Sequence, residues 1–349
     1  MNKPDSFCFS KLDKPFIIAE MSANHNQSLE HAFAIIDAAA KAGADALKLQ
    51  TYTADTMTLD LKENEFYISD PKSLWYGHSL YDLYKKAYTP WEWHQAIFER
   101  ARKLGLYAFS TPFDASSVDF LETLDVPFYK VASFENTDLP LIKKVAATGK
   151  PLIISTGLAS VSEIEQAVKT ARAHGCKDLV LLKCTSAYPA NHCNANLRTI
   201  AHMKDLFQCT IGISDHTPGI GTAVASVALG ALVIEKHVTF SRAAEGPDSA
   251  FSLEPDELKN LCIEAKRAHQ SIGTIQYGPT EGDQGSLVYR RSLYVVKDMK
   301  KGEMFTPENI RAIRPSLGLP PRHFDDVVNE RRAKRDLKKG TALKWELVD

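Results

Sequence analysis

Strand-like and helix-like segments alternate eight times along this 349-residue chain, an order that restricts it to an α/β architecture built on a parallel sheet. The β-branched or aromatic runs are FIIAEMS (16–22), ALKLQTY (46–52), YAFSTPF (107–113), FYKVAS (128–133), PLIISTG (151–157), LVLLKCTS (179–186), TIGISDHT (210–217) and LVIEKHVTF (232–240). Between them lie stretches such as LEHAFAIIDAAAKAG, with apolar residues at i, i+3, i+4 and i+7 and a stop at Gly43. WEWHQAIFERARKLG, SEIEQAVKTARAHG and TAVASVALG read the same way. Eight units is the number that closes a barrel, so a TIM (β/α)8 barrel is expected over residues 1–272. An open doubly wound sheet is the alternative, but no GxGxxG follows the first run.

Polarity falls at the same end of nearly every run. Each begins apolar and finishes on Glu20, Lys48 with Gln50, Ser110 with Thr111, Lys130 with Ser133, Ser155, Thr185 with Ser186, Ser214 to His216, or Glu235 to His237. A cluster such as ISDHTPG (213–219) taken alone is as well explained by a turn, because Ser and Asp are ordinary turn and capping residues. In a parallel barrel, however, all these ends share one face, the face that carries active sites. Eight polar exits together therefore favour a site.

After the last unit, residues 273–286 (GTIQYGPTEGDQGS) read as a linker, and residues 287–349 as a small β-rich domain too short to be robust alone. Within that tail KDMKKGEMF and RDLKKGTAL echo one another, each suited to a tight hairpin. A long aromatic insertion, 53–89, separates the second and third runs and suggests a lid or a subunit contact. The formal net charge of −1 argues against general nucleic-acid binding, but from Ser286 onward 15 basic face 9 acidic residues, +6, leaving −7 elsewhere. That asymmetry suits two solvated surfaces, or a basic module set against an acidic one or an anionic ligand. The cysteines at 8, 176, 184, 193, 209 and 262 form no CxxC pair or zinc-type spacing, as in a reducing compartment. MNKPDSFCFS lacks an apolar leader, and the longest apolar stretch, near Ala223 to Ile234, is too short to span a bilayer. A cytoplasmic protein without membrane partners is expected.

Two features carry chemistry. His216 and His237 close consecutive runs, so their imidazoles can converge on a divalent transition metal, with Asp215 or Glu235 orienting the rings. Lys48 and Lys130 sit among apolar neighbours, and a lysine is rarely buried without an anion. With hydroxyls from Thr111, Ser133 and Ser155 the face suits phosphate and carboxylate together; internal pairs with Glu20 and Glu135, or a Schiff-base lysine, remain alternatives.

The series AEMSANH (19–25), KLQTYT (48–53), STPF (110–113), YKVASFE (129–135), ISTG (154–157), CTSAYP (184–189), ISDHT (213–217), EKHVT (235–239) and GPD (246–248), followed by a basic tail, resembles the sialic acid synthase family in order and over nearly the whole chain. The resemblance implies a metal-dependent condensation of phosphoenolpyruvate with an N-acetylated amino sugar. It further implies a C-terminal antifreeze-like (SAF) domain, a domain-swapped homodimer, and Mn, Mg or Co as the metal. Matched by motif, His216 and His237 are the metal-binding histidines, and Glu20 lies near the reacting centre. Lys48, Thr111, Lys130, Ser133, Ser155 and Ser214 match the donor contacts. Gln50, Glu135, Tyr188 and Asp248 face the sugar, and Arg314 reaches its acetamido group. Two departures, Ser22-Ala23 for a glycine-containing turn and Ser186 for an asparagine, fit the pseudaminic branch better than a mannosamine acceptor. Acceptors leading to N-acetylneuraminic or legionaminic acid are the alternative within the family. A barrel metal hydrolase or aldolase, and an anion-binding regulator, are the alternatives outside it.

Overall fold

The computed structural model describes residues 7–71 and 73–349; the first six residues, part of the stretch read as lacking a leader, lie outside them. The strands β1 (Phe16–Glu20), β2 (Ala46–Thr51), β3 (Tyr107–Pro112), β4 (Tyr129–Val131), β5 (Leu152–Ser155), β6 (Leu179–Cys184), β7 (Thr210–Asp215) and β8 (Val233–His237) pair in sequence order as a closed parallel barrel. The expected fold is therefore present. The helices of the first 273 residues are α1 (Leu29–Ala42), α2 (Ala54–Met57), α3 (Leu80–Ala87), α4 (His94–Lys103), α5 (Ala115–Glu122), α6 (Leu139–Ala146), α7 (Val161–Ala173), α8 (Thr199–Phe207), α9 (Gly221–Ala228) and α10 (Pro255–Ser271). No helix among the described residues is long and apolar enough to cross a membrane.

Local chemistry explains where the helices start and stop. Ser28, Asp114, Asp138 and Ser160 each accept a backbone N–H from the first turn of the helix that follows, and Gly43 ends α1 at φ 90°, a conformation glycine adopts without a Cβ penalty. Nearly every strand residue is buried, with aliphatic side chains such as Ile17, Leu47, Ile153, Leu181 and Ile234 in one continuous core. At the N-terminal ends of the strands Phe9 lies among Phe7, Phe16 and Phe128, with ring centroids 4.6, 5.7 and 4.9 Å away. The Asp178 carboxylate accepts the Phe9 and Ser10 N–H groups and holds this plug in place. One end of the barrel is thus sealed by aromatic packing, and polar groups collect at the other.

The insertion after β2 contains α2, a hairpin and α3. Tyr67 bridges Ser79, and Ile68 exchanges backbone bonds with His78 and Gly77. The Trp75 indole N–H donates to the Pro247 carbonyl at 3.3 Å, tying the hairpin to the segment that follows β8.

The chain divides into two compact units, 1–273 and 274–349. Residues 281–289, which overlap the expected linker, form a run of 3-10 turns. In the second unit β9 (Ser292–Val295) pairs antiparallel with β10 (Ile310–Ile313) over a core that includes Leu293, Phe305, Ile310, Val327, Leu337 and Leu343. The sequence echo is a reciprocal clasp rather than two local hairpins. Asp336 accepts Lys300 Nζ and the Lys301 N–H, both at 2.9 Å, while Asp298 accepts Lys338 Nζ and the Lys339 N–H, both at 2.8 Å. Each aspartate fixes the turn of the other repeat, and Met299 bridges Leu337 between them.

Candidate active site

Inward and outward positions alternate along a barrel strand, so the register decides what meets at the polar end. Glu20 stands opposite Lys48 across β1–β2 and opposite His237 across β1–β8. The result is a cavity of about 280 Å³ over the C-terminal ends of the strands.

Its floor is a buried ion cluster. Lys48 Nζ lies 2.6 Å from Glu20 and 3.9 Å from Glu235, and it donates to Thr111 Oγ1 at 3.1 Å. Lys130 Nζ is 3.5 Å from Glu235, which also accepts the Ser214 hydroxyl at 3.3 Å. Burial works against charge on all four groups and the pairing works for it. For Lys48 burial is outweighed by Glu20 and Glu235, so its pKa rises; for Glu235 burial is outweighed by Lys130 and Lys48, so its pKa falls. Burial prevails for Lys130, which is lowered, and for Glu20, which is raised. Glu135, on the cavity wall, is pushed up to about 7 by burial against the pull of Lys130.

His216 immediately follows β7 and His237 ends β8; their ring centroids are 5.2 Å apart. His216 Nδ1 sits 3.0 Å from the Thr185 carbonyl, which can only accept, so Nδ1 carries the proton and Nε2 keeps its lone pair. His237 Nδ1 is buried without a hydrogen-bond partner, 3.6 Å from Asp248. A ring fixed by a backbone carbonyl beside an orphaned imidazole nitrogen is a donor set that fits a divalent metal with positions left open for substrate or water. Among the described residues no third His, Cys, Asp or Glu completes a preformed cage.

A second network joins distant motifs. Ser22 Oγ donates to Asp248 and accepts from Gln50 Nε2 at 2.9 Å, and Gln50 also donates to Glu20 at 3.0 Å. Asn24 donates to the Val238 carbonyl and Ser252 Oγ, locking the segment after β1 onto the segment after β8. The Tyr188 ring lies 4.4 Å from that of His216.

Of the residues singled out in the sequence, Lys48, Gln50, Thr111, Lys130, Ser133, Glu135, Ser155, Tyr188, Ser214, His216, His237 and Asp248 line the cavity. Glu20 lies just beneath it, fully buried against Lys48. Ser186 is not among the lining residues; it is half-buried, its hydroxyl 3.8 Å from Cys184 Sγ. Arg314 belongs to the second unit, exposed just after β10. Sequence reasoning did not find the central place of Glu235, although it sits two residues before His237 and so shares its inward face. It also missed Gly157, where a Cβ would lie 2.2 Å from Ser186 Oγ and 2.7 Å from Ser133 Oγ. Cys184 was passed over too; burial raises its thiol, but the bond to His216 brings it down to about 7.

Six buried side-chain polar atoms among the described residues lack a hydrogen-bond partner; Glu20 Oε2 is nonetheless ion-paired with Lys48, and four of the others belong to this site: Glu135 Oε2, Ser155 Oγ, Glu235 Oε2 and His237 Nδ1. Buried polar groups are normally paired, so their concentration here marks where a polar ligand binds.

The sequence profile of the NeuB family matches residues 35–277, and that of the SAF domain residues 290–349. A pseudaminic acid synthase from Campylobacter jejuni is 44% identical over 336 residues, covering 96% of this chain and 97% of its own. Another from Helicobacter pylori is 42% identical over 340 residues, covering 97% and 99%. Among solved structures, an N-acetylneuraminic acid synthetase from Leptospira borgpetersenii aligns with a TM-score of 0.70 at 34% identity, across 79% of this chain and 91% of that one.

Proposed function

The chain belongs to the NeuB family, and from that premise we propose that it condenses phosphoenolpyruvate with 2,4-diacetamido-2,4,6-trideoxy-altrose to give pseudaminic acid and phosphate. It is a transferase that forms a C–C bond and cleaves a C–O bond. The observation that carries the acceptor is the identity of 42 to 44% with pseudaminic acid synthases along nearly the full chain.

Lys48 and Lys130 offset the charge of the donor's phosphate and carboxylate, and the hydroxyls of Thr111, Ser133, Ser155 and Ser214 orient its oxygens. The unpartnered Ser155 hydroxyl supports this reading. C3 of the enol attacks the aldehyde carbon of the open-chain sugar, whose oxygen takes a proton and becomes a hydroxyl. C2, left cationic, accepts the oxygen of a water, which gives up a proton. The C2–O bond to phosphate then breaks, its electron pair leaves with phosphate, the hydroxyl left on C2 gives up its proton to that phosphate, and C2 becomes the ketone. Glu20, next to Lys48 beneath the cavity, guides the water. Asp248, held by Ser22, positions a sugar hydroxyl or handles its proton. Gln50, Glu135 and Tyr188 face the sugar, and Ser186 supports this side of the site. His216 and His237 would hold a divalent cation, Mn, Mg or Co, whose chemistry is polarisation of the aldehyde oxygen. The family resemblance further assigns Arg314 to an acetamido group, contributed across a domain-swapped homodimer, in a cytoplasmic enzyme.

The test is phosphate release from phosphoenolpyruvate across a panel of amino sugars, with product mass and a chelator arm. The diacetamido trideoxy sugar is expected to exceed N-acetylmannosamine by at least about tenfold in kcat/KM, and activity should disappear on chelation and return with metal. Preferred turnover of N-acetylmannosamine, or of the legionaminic precursor, would overturn the assignment of the acceptor.

A further inference from the structure

The insertion's helix α3 has an apolar face with no core to pack on. Leu80, Leu83, Tyr84 and Ala87 recur at helical spacing, while Asp82, Lys85 and Lys86 take other faces. On an ordinary surface helix such a stripe is sealed against the protein interior. Here all four residues are only half-buried, and none joins the barrel core. Together with Met57 from α2 and Ile68 from the hairpin they line the cavity instead. The stripe extends a site whose floor is made of ions, hydroxyls and imidazoles.

We propose that this wall is the specificity determinant for the acceptor's C6, accepting the methyl group of a 6-deoxy sugar and disfavouring a 6-hydroxymethyl group. The inference rests on the reading given under Proposed function. The aldehyde carbon of the acceptor belongs at the floor, beside His216 and His237, and an extended open-chain hexose carries C6 at the end farthest from its aldehyde. The insertion follows the C-terminal end of β2, so its wall stands beyond the strand ends, where that far end points. The Tyr84 ring is itself braced edge-on against Tyr52 at 5.7 Å. A hydroxyl pressed against Leu80, Leu83, Met57 and Ile68 loses its water and gains no partner from them, whereas a methyl gains contact area.

The experiment compares kcat/KM for the 2,4-diacetamido-2,4,6-trideoxy acceptor and for its 6-hydroxy counterpart, in the wild type and in Leu83→Ser and Ile68→Ser. The wild type is expected to favour the deoxy sugar by about tenfold or more, the usual worth of one group in an apolar pocket. Each variant should cut that ratio at least about fivefold, chiefly through the KM of the deoxy sugar, with the KM for phosphoenolpyruvate unchanged. Because the readout is a ratio within one preparation, partial loss of folded enzyme cancels, and the two substitutions lie on separate elements. A wild type that turns over both sugars without preference, or variants that keep the wild-type ratio, would overturn the wall while leaving the reaction standing. Failure of the wild type to use either sugar would remove the proposed function and this inference with it.

Discussion

Ser22 has a φ of 46°, in the left-handed region where a residue with a Cβ loses roughly 1–2 kcal/mol relative to glycine. It keeps that conformation while its hydroxyl links Asp248 to Gln50. Replacing it with glycine relieves the backbone but leaves a buried carboxylate short of a donor. Ser22→Gly should therefore match or exceed the wild type in Tm while kcat/KM for the amino sugar falls about tenfold, with little change in the KM for phosphoenolpyruvate. Steady-state kinetics beside a thermal melt decide it, and wild-type kinetics in the glycine variant would dismiss the hydroxyl as incidental. The sequence marked Ser22 as a departure from a glycine-containing turn. It could not say what the serine does, because Asp248 lies 226 positions away in the chain.

At the scale of elements, α4 is anchored to the barrel by a histidine. His94 opens the helix, its Nε2 2.8 Å from Thr51 Oγ1 on β2 and its Nδ1 3.2 Å from the Pro90 carbonyl, while Thr51 Oγ1 also meets Ser110 Oγ on β3 at 2.6 Å. Burial lowers His94 to about 4, and burial lowers His25 equally far. In the unfolded chain both take up protons near the ordinary histidine value of about 6.5. Between those values the unfolded state binds more protons, so stability is fully present above about pH 6.5 and is lost as pH falls toward 4. Denaturant midpoints measured from pH 7.5 to pH 5 should fall, and His94→Gln should flatten the slope by about one proton's worth. An unchanged slope in that variant would rule out His94 as a source. Strand and helix order was readable here because burial of both faces leaves continuous aliphatic runs. The hairpin of the insertion was not, since its backbone pairing leaves no apolar period to follow.

For the whole molecule, the chain carries −7 before Ser286 and +6 from Ser286 onward, and its two compact units have separate cores, which frames the question of where Arg314 acts. If Arg314 serves the barrel of a partner chain, mixed dimers report it. Arg314→Ala and His237→Ala chains, each inactive as a homodimer, are combined through different tags. In trans, the barrel with intact His237 receives the intact Arg314 of the other chain, so one site in two is complete and about half the activity returns. In cis, each site carries one defect and the mixed dimer stays silent, which would overturn the swapped arrangement.

The sequence by itself determined the order of eight strands and their helices, the polar character of one barrel end, the two histidines at the ends of consecutive strands and the basic tail. These follow from periodicity and punctuation, which are local in the chain and survive without knowledge of partners. Only the tertiary structure decided that Glu235 stands between Lys48 and Lys130, and that Gly157 leaves room for Ser133 and Ser186. It alone turned the stripe of α3 toward the cavity instead of a core. The reason is that closing a barrel chooses one face of every strand and brings together side chains far apart in sequence, and no local pattern encodes which of them will meet.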